Sequence, residues 1–306
     1  MDYSNYTLLS LGCSFTFGQG TVADYQGGPE EREVWRKACN ELSYTSHVGK
    51  RLKFGKVVNL GTPAGSNELA LLNMNTWLDK NKGENVFILF SLADPQREIF
   101  FKKVKDYSDK SRNVDSLEVF NASHPHDISP KAIESFYTEI NTEITMTFKN
   151  WLFRKHLSSV LQYRNLPHLV FHSFDPMDIR VSKLRNKFRI SQGSTHWHNL
   201  DIIPDFREWM ENIEDEPIFD NYLSINRINA LSKDVFGKAI HKRSIYTISD
   251  YLHNVCKTHK DAFFTGDNKD KYAVREHMSW HDGSHYNATS QRILGQLLVS
   301  EMPKTN

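Results

Sequence analysis

Short apolar runs that end in glycine or a polar turn alternate with amphipathic segments along the first part of the chain. The runs Tyr6–Gly12, Lys56–Gly61 and Val86–Leu92 predict strands. Between them, Leu42–Phe54 and Asn67–Leu78 have the spaced apolar positions of helices packed on one side. The third run is apolar at nearly every position, which is typical of a strand covered by helices on both faces. This alternation predicts a parallel sheet wound with helices.

The rest of the chain adds further core elements and two long polar stretches. Pro167–Phe174 predicts a fourth strand, and a helical stretch from about Ser129 to Asn165 precedes it. An amphipathic helix is predicted over about Ala288–Met302. Residues 102–128 and 177–245 are polar and aperiodic, so we interpret them as insertions that decorate one rim of the sheet.

Finer predictions concern one loop and the buried faces of two helices. Residues 18–40 mix glycine, proline and charges, which predicts a loop. The residues predicted to face inward are Leu69, Leu72 and Trp77 on the second helix, and Ile293, Leu294, Leu297 and Leu298 on the last one.

Composition and charge limit the classes of partner. The chain has 306 residues, of which 39% are hydrophobic, and we expect one domain over residues 1–306 with a large core. The net charge of +1 gives no general electrostatic reason to bind nucleic acid or an anionic membrane. A local basic cluster is interpreted as a solvated face; it consists of Lys183, Arg185, Lys187 and Arg189.

Cysteine usage and the N-terminus indicate a reducing, cytoplasmic setting. Cys13, Cys39 and Cys256 are few and widely spaced, which implies neither a disulfide framework nor a zinc site. Met1–Thr7 lacks the basic and apolar pattern of a secretory signal, and no apolar run approaches the roughly 20 residues that span a bilayer. Two short histidine pairs lack further ligands, so no metal or other cofactor is predicted.

The first block with chemical potential is GCSFTFG, residues 12–18. Ser14 lies just past the end of the first predicted strand, at the sheet edge where open α/β folds bind ligands. A nearby imidazole could deprotonate its hydroxyl. Flanking glycines permit a tight turn and a close substrate approach. A serine that only caps a loop would give the same local pattern.

The second block is WHDGSHY, residues 280–286, directly before the last helix. Asp282 and His285 are three residues apart, so a carboxylate can fix the imidazole tautomer and stabilise its cation. A polar turn that caps the last helix is the alternative interpretation.

The third block is NLGTPAGSN, residues 59–67, after the second predicted strand. Backbone N–H groups at such a glycine turn, together with the amide of Asn67, could donate hydrogen bonds to an oxyanion. The alternative is a structural loop followed by a helix N-cap at Ser66 or Asn67.

The order and spacing of these three blocks resemble the SGNH (GDSL-type) hydrolase family, in particular its divergent phage and bacterial branch with a Gly-Cys-Ser-Phe-Thr first block. The resemblance covers the core strands and both chain ends. It implies a three-layer α/β/α, flavodoxin-like fold around a parallel sheet of about five strands. It also implies an esterase, deacetylase or lipase that acts on small esters, lipids or acetylated sugars.

The resemblance also implies roles for individual residues. Ser14 corresponds to the nucleophile, and Asp282 and His285 to its charge-relay partners. The N–H groups of Ser14 and Gly65, with Gly61 as the alternative, correspond to the oxyanion hole.

The sequence departs from the family at two positions. Cys13 stands where the first block has aspartate, and Ala93 stands where the third family block has its oxyanion-hole asparagine. We expect Asn67 to substitute for that amide. Asp94 and Arg97, just past the third strand, are candidates for substrate binding, Arg97 through bidentate contact with a carboxylate or phosphate. A salt bridge is the alternative for Arg97.

Several functional alternatives stay open. Cys13 is a second candidate nucleophile, ranked below Ser14 because it should face the sheet if Ser14 faces the rim. The same domain could bind a glycan, nucleotide or protein without turnover, which the missing third-block asparagine favours. Acyl transfer to a sugar or other hydroxyl would use the same serine.

Overall fold

A five-stranded sheet carries the fold in the computed structural model, which describes residues 2–22, 29–63, 65–93, 97, 99–103, 117–121, 143–172, 219–223 and 288–303. The strands are β1 (Thr7–Leu11), β2 (Lys56–Asn59), β3 (Val86–Leu92), β4 (Ile99–Lys103), β5 (Leu117–Asn121), β6 (His168–His172) and β7 (Tyr222–Leu223). The helices are α1 (Ser14–Phe17), α2 (Pro29–Leu42), α3 (Tyr44–Leu52), α4 (Asn67–Lys80), α5 (Glu143–Tyr163) and α6 (Ala288–Glu301), and a 3₁₀ turn spans Tyr3–Asn5.

The sheet has the strand order β2-β1-β3-β6-β7, and every pairing in it is parallel. Counted by sheet strands alone, this is the order 2-1-3-4-5 of flavodoxin-like folds. β4 and β5 form a separate antiparallel pair.

Two hydrophobic cores lie on opposite faces of the sheet, since successive strand residues point to opposite sides. All residues of β1 and β3 are buried. One core packs α3 and α6 against residues such as Leu8 and Phe171; the other packs α4 and α5 against residues such as Ile88 and Val170. The predicted three-layer α/β/α architecture is therefore confirmed.

The predicted strands and most helix positions agree with the structure, but one predicted loop is a helix. α2 occupies much of the segment 18–40 that we expected to be a loop. Pro29 takes its first position and Glu30 and Glu31 lie in its first turn, all favourable choices for a helix start. Cys39 is the buried residue of α2, and the helix is mostly exposed and rich in charged residues, so the segment has the composition of a loop.

The predicted buried face of α4 was wrong at Leu72, which is 48% exposed. Leu69 is partly buried, and Trp77 is partly buried and packs at the edge of the core. The stripe that faces the sheet is instead Ala70, Leu71, Met74 and Leu78. For α6 the prediction was better, since Leu294, Leu297 and Leu298 are buried and Ile293 packs at the edge of the same core.

Parts of both predicted insertions belong to the residues that the structure describes. β7 lies within 177–245 and completes the sheet, and the β4–β5 pair overlaps 102–128. The basic cluster at 183–189 and the predicted helix start at Ser129 lie outside the described residues. None of the described helices combines the length and apolarity that a membrane crossing requires.

A buried histidine ends the fourth strand of the sheet. His172 is on the face of β6 that meets α5, and its ring lies edge-on to Tyr222, with 5.8 Å between centroids. Its Nε2 is buried and has no hydrogen-bond partner among the residues that the structure describes. Burial, and then the nearby cation of Arg154, hold the pKa of His172 well below its ordinary value. The folded protein therefore keeps this imidazole neutral.

We expect His172 to make the protein less stable in mild acid. Below about pH 6.5 the unfolded chain binds a proton that the folded chain refuses, so the unfolding free energy falls by up to about 1.4 kcal/mol per pH unit. Urea denaturation from pH 7.5 downward, at roughly half-unit steps, measures this slope. His172→Gln should flatten it, whereas an equal flattening by His156→Gln, an exposed histidine on α5, would contradict the assignment.

Candidate active site

The carboxyl edge of β1 and β3 is the place where this fold binds ligands. The chain leaves β1 toward β2 on one side and later adds β3 on the other, so the crevice beyond their ends is a topological switch point. Ser14 is the first residue of α1, three residues past the end of β1, and is 2% exposed. Ala93 directly follows β3. Ser14 therefore lies at this edge of the sheet, as its position after the first strand predicted.

Gly12 sets the turn between β1 and Ser14. It has a φ of +149°, and a Cβ at this position would lie 2.9 Å from both the Cβ and the carbonyl oxygen of Ser91. Only glycine accommodates this backbone beside the end of β3. The turn therefore fixes where α1 begins relative to the neighbouring strand.

Cys13 and Ser14 have different surroundings. Cys13 is fully buried in the core that includes Leu8, Tyr44 and Phe171. The hydrogen bonds that Ser14 makes within the described part of the chain run through its backbone oxygen, which accepts from the N–H groups of Gly18 and Gln19, both at 3.1 Å. Its hydroxyl group makes no hydrogen bond within that part of the chain.

The glycine loop after β2 lies against the Ser14 turn. The N–H of Thr62 donates to the carbonyl of Gly12 at 3.0 Å, which extends the β1–β2 ladder beyond the strands. A Cβ on Gly65 would lie 3.5 Å from that same carbonyl oxygen, and one on Gly61 would lie 2.7 Å from the backbone of Thr16. The first and third sequence blocks are therefore neighbours in space.

The turn that contains Gly65 is closed by its own hydrogen bond. The N–H of Gly65 donates to Thr62 at 2.8 Å. Ser66 is the N-cap of α4, with its hydroxyl accepting from Leu69, so the loop has the capping role that was one of the two predicted alternatives.

Asn67 joins the start of α4 to the end of β3. Its Oδ1 accepts from the N–H of Ala93 at 2.7 Å, and its Nδ2 donates to the carbonyl of Ala93 at 3.2 Å. Asn67 is 4% exposed. The amide therefore sits beside the position where the resembled family has an asparagine, and one of its two N–H hydrogens stays available within the described part of the chain.

Arg97 also reaches this loop. The Nη1 atom of Arg97 donates a hydrogen bond to the carbonyl of Gly65 at 3.4 Å. The other predicted site residues, Asp94, Asp282 and His285, lie outside the described residues. Among the described residues, no group of histidine, cysteine and carboxylate side chains could hold a metal ion.

Gln291 links the last helix to the first. Its Nε2 donates to the carbonyl of Phe15 at 2.9 Å, and its Oε1 accepts from the N–H of Tyr44 at 2.9 Å. The side chain is fully buried. Both partners belong to helix ends, where backbone groups lack intrahelical partners. The amide therefore fastens α6 to the helix that Ser14 begins.

A buried hydroxyl pair supports α1 from the same side. Tyr44 donates its phenol proton to Thr16 Oγ1 at 2.7 Å. Burial raises the pKa of the Tyr44 phenol far above its ordinary value, so it remains a donor. Next to it, Thr45 donates to Ser10 at 2.9 Å. The Ser14 turn thus rests on a rigid layer of paired polar groups.

Sequence reasoning missed Gln291 and Tyr44. The available signal was the position of Gln291, three and seven residues before Leu294 and Leu298, on the apolar stripe of α6. A glutamine on such a stripe has to find hydrogen-bond partners inside the protein.

We expect Gln291→Met to lower the unfolding free energy by about 1–3 kcal/mol, because it keeps the volume but removes the acceptor of the buried Tyr44 N–H. The Phe15 carbonyl loses the Gln291 donor and keeps the Gly18 N–H at 3.3 Å. Urea denaturation measures the loss. Gln296→Met, an exposed residue on the same helix, is the matched control and should change stability by less than about 0.5 kcal/mol. Equal effects at both positions would show that the bridge contributes nothing particular.

Comparisons with known proteins match the chain to solved structures alone. No protein-family model and no curated protein matches the chain. A solved structure of a protein assigned to the G-D-S-L family of lipolytic proteins, from Desulfitobacterium hafniense DCB-2, is 16% identical, with a TM-score of 0.24, over 55% of this chain and 78% of that one. A likeness at this level does not bear on activity.

Proposed function

We propose that this protein is a serine hydrolase of the SGNH type that cleaves an acyl ester through Ser14, His285 and Asp282. The observation that carries the proposal is the 2.9 Å hydrogen bond from Gln291 to the carbonyl of Phe15. It joins the helix that follows the Asp-x-x-His block to the residue after Ser14.

Chain connectivity turns this bond into a constraint on His285. Three residue steps separate His285 from Ala288, the first residue of α6, and three steps of chain span at most about 11 Å. Gln291 itself lies within the first turn of that helix. This short connection supports the proposal that the imidazole reaches Ser14, which a base for this hydroxyl needs.

The proposed chemistry proceeds in two halves. His285 accepts the hydroxyl proton of Ser14 as the serine oxygen attacks the ester carbonyl, and Asp282 orients the imidazole and stabilises its cation. The imidazolium then gives that proton to the departing alcohol, which leaves an acyl-serine. Water, deprotonated by the same imidazole, attacks the acyl group and releases the acid and free Ser14.

The oxyanion would be held by N–H donors at the switch point. The N–H of Ser14 belongs to the first turn of α1 and has no intrahelical acceptor. The second hydrogen of Asn67 Nδ2 lies beside the end of β3. The N–H of Gly65 is held by Thr62, so its contribution requires this turn to open.

The substrate class follows from the resemblance and from the charged groups at the edge. A small ester or acetylated sugar is proposed, with Arg97 and Asp94 as binding residues, and the reaction needs no cofactor. Arg97 already points at the Gly65 loop. Acyl transfer would use the same serine and differ only in the acceptor of the acyl group.

Ser14→Ala should abolish both labelling by a fluorophosphonate probe and turnover of p-nitrophenyl acetate, because the attacking oxygen is gone. His285→Ala should lower kcat by roughly four orders of magnitude or more, and Asp282→Ala by a similar or smaller factor. Gel fluorescence and stopped-time ester assays measure these effects.

Cys13→Ala and Ser300→Ala are the controls, one for the neighbouring nucleophile and one for an exposed serine. Both should keep labelling. Labelling that survives in Ser14→Ala and disappears in Cys13→Ala would make the cysteine the nucleophile. No labelling or turnover in the unmodified protein over a broad ester panel would favour binding without turnover.

Asn67→Asp tests the amide as an oxyanion donor. The carboxylate still accepts from the N–H of Ala93 but cannot donate, so we expect kcat to fall by about 10²–10³ with little change in KM. Asn75→Asp makes the same chemical change farther along α4 and should leave kcat within about twofold. A change in KM alone for Asn67→Asp would assign the amide to substrate binding.

A further inference from the structure

A basic groove runs along the outside of the helical layer formed by α3 and α6. Its volume is about 620 Å³. The lining side chains come from both helices and are His47, Lys50, Arg51, Arg292, Gln296, Val299 and Ser300, with Gly295 among them. No local sequence pattern marks this groove, because its two walls are more than two hundred residues apart in the chain.

Gly295 allows the two walls to meet. A Cβ at this position would lie 2.8 Å from the Cβ of His47 and 3.3 Å from the carbonyl oxygen of Tyr44. Both of these atoms are fixed by the backbone of α3, so a larger residue would push the helices apart. The floor of the groove is therefore a close and rigid helix contact.

The groove concentrates positive charge that the described part of the chain does not neutralise. Lys50, Arg51 and Arg292 line it, and no ion pair within the described residues involves any of them. By contrast, Lys56 pairs with Glu84 at 3.0 Å and Arg164 pairs with Asp79 at 3.1 Å. Among the described residues, no carboxylate lines the groove. No described carboxylate therefore competes with an external anion for these cations.

The ring of His47 shows that these charges converge. Burial lowers its pKa, and the cations of Lys50 and Arg292 lower it further. The two cations come from different helices, and both act on the one imidazole between them. A neutral His47 can still donate one hydrogen bond to a ligand.

Helix stabilisation accounts for only part of this charge. Lys50 and Arg51 lie in the last turn of α3, where cations interact favourably with the helix dipole. Arg292 is the fifth residue of α6, close to the positive end of its dipole, and that helix has no acidic residue in its first turn. Arg292 therefore adds to the positive potential of the groove without stabilising its own helix.

We propose that this groove is a binding site for a small phosphorylated molecule. Its volume falls in the range of small-molecule sites, and guanidinium groups bind phosphate oxygens in a bidentate manner. Gln296 and Ser300 supply neutral hydrogen-bonding groups beside the cations. The site differs from the proposed ester site, because Ser14 is not among the lining residues. Arg292 is exposed on the outer face of α6, whereas the preceding residue, Gln291, is buried and meets Phe15 on the core side.

The test is a calorimetric titration of the full-length protein with inorganic pyrophosphate, at low and at moderate salt. We expect binding that weakens with salt and that falls by roughly tenfold or more in the double variant Lys50→Gln/Arg292→Gln, since each removed side chain contributes a charge-assisted hydrogen bond. Both residues are exposed, so the variant should fold, which circular dichroism verifies.

The matched control is Lys80→Gln/Lys82→Gln, which removes two exposed cations from the opposite helical layer and its following turn. It should bind pyrophosphate within about twofold of the unmodified protein. Ser14→Ala should bind it equally well, which separates this site from the proposed hydrolase. Equal weakening in both double variants, or no pyrophosphate binding, would overturn the proposal. So would tight binding of single-stranded DNA through Lys50 and Arg292 without any binding of pyrophosphate.

Discussion

A buried amide, that of Gln291, connects the two ends of this chain. It satisfies a carbonyl of α1 and the first N–H of α3 at once, so two helix ends and one helix face are fixed by a single side chain. A buried glutamine is costly unless each of its polar atoms is paired, and here both are. The pairing makes the position of α6 a condition for the geometry of the Ser14 turn.

The sheet supplies the second constraint. β1 and β3 are buried on both faces and lie side by side, so the backbone beyond their ends can turn only into the space at the carboxyl edge. The chain turns there at Gly12, where a Cβ atom would lie only 2.9 Å from Ser91. Asn67 then binds both backbone groups of Ala93, which holds the neighbouring strand end. A serine, a glycine loop and an amide are thus collected at one switch point by topology, and not by sequence proximity.

The parts of this arrangement that could be predicted are those with a strong local period. β3 was predicted over the residues it occupies, because its short run is apolar at nearly every position, and the structure buries all seven residues. α2 was missed because it buries little, and the face of α4 was misassigned because Ala70 is small and Leu72 is an exposed leucine. β7 has only two residues, too few for any alternation to be visible. Gln291 bonds to residues far away in the chain, so its pairing is a property of the fold and not of its neighbours.

Charge shows the same limit of whole-chain reasoning. A net charge of +1 argues against a general affinity for polyanions, and yet it is an average over the chain. Lys50 and Arg51 on α3 and Arg292 on α6 contribute little to that average individually. The close contact at Gly295 brings them to one groove, while other cations such as Lys56 are neutralised by nearby carboxylates. The α3–α6 interface thus has two roles. Its core side carries the Gln291 bridge between Phe15 and Tyr44, and its outer side gathers cations that form no ion pair within the described part of the chain. A change in the distance between these helices would alter both the groove and the Gln291 bridge, since the same two helices form both.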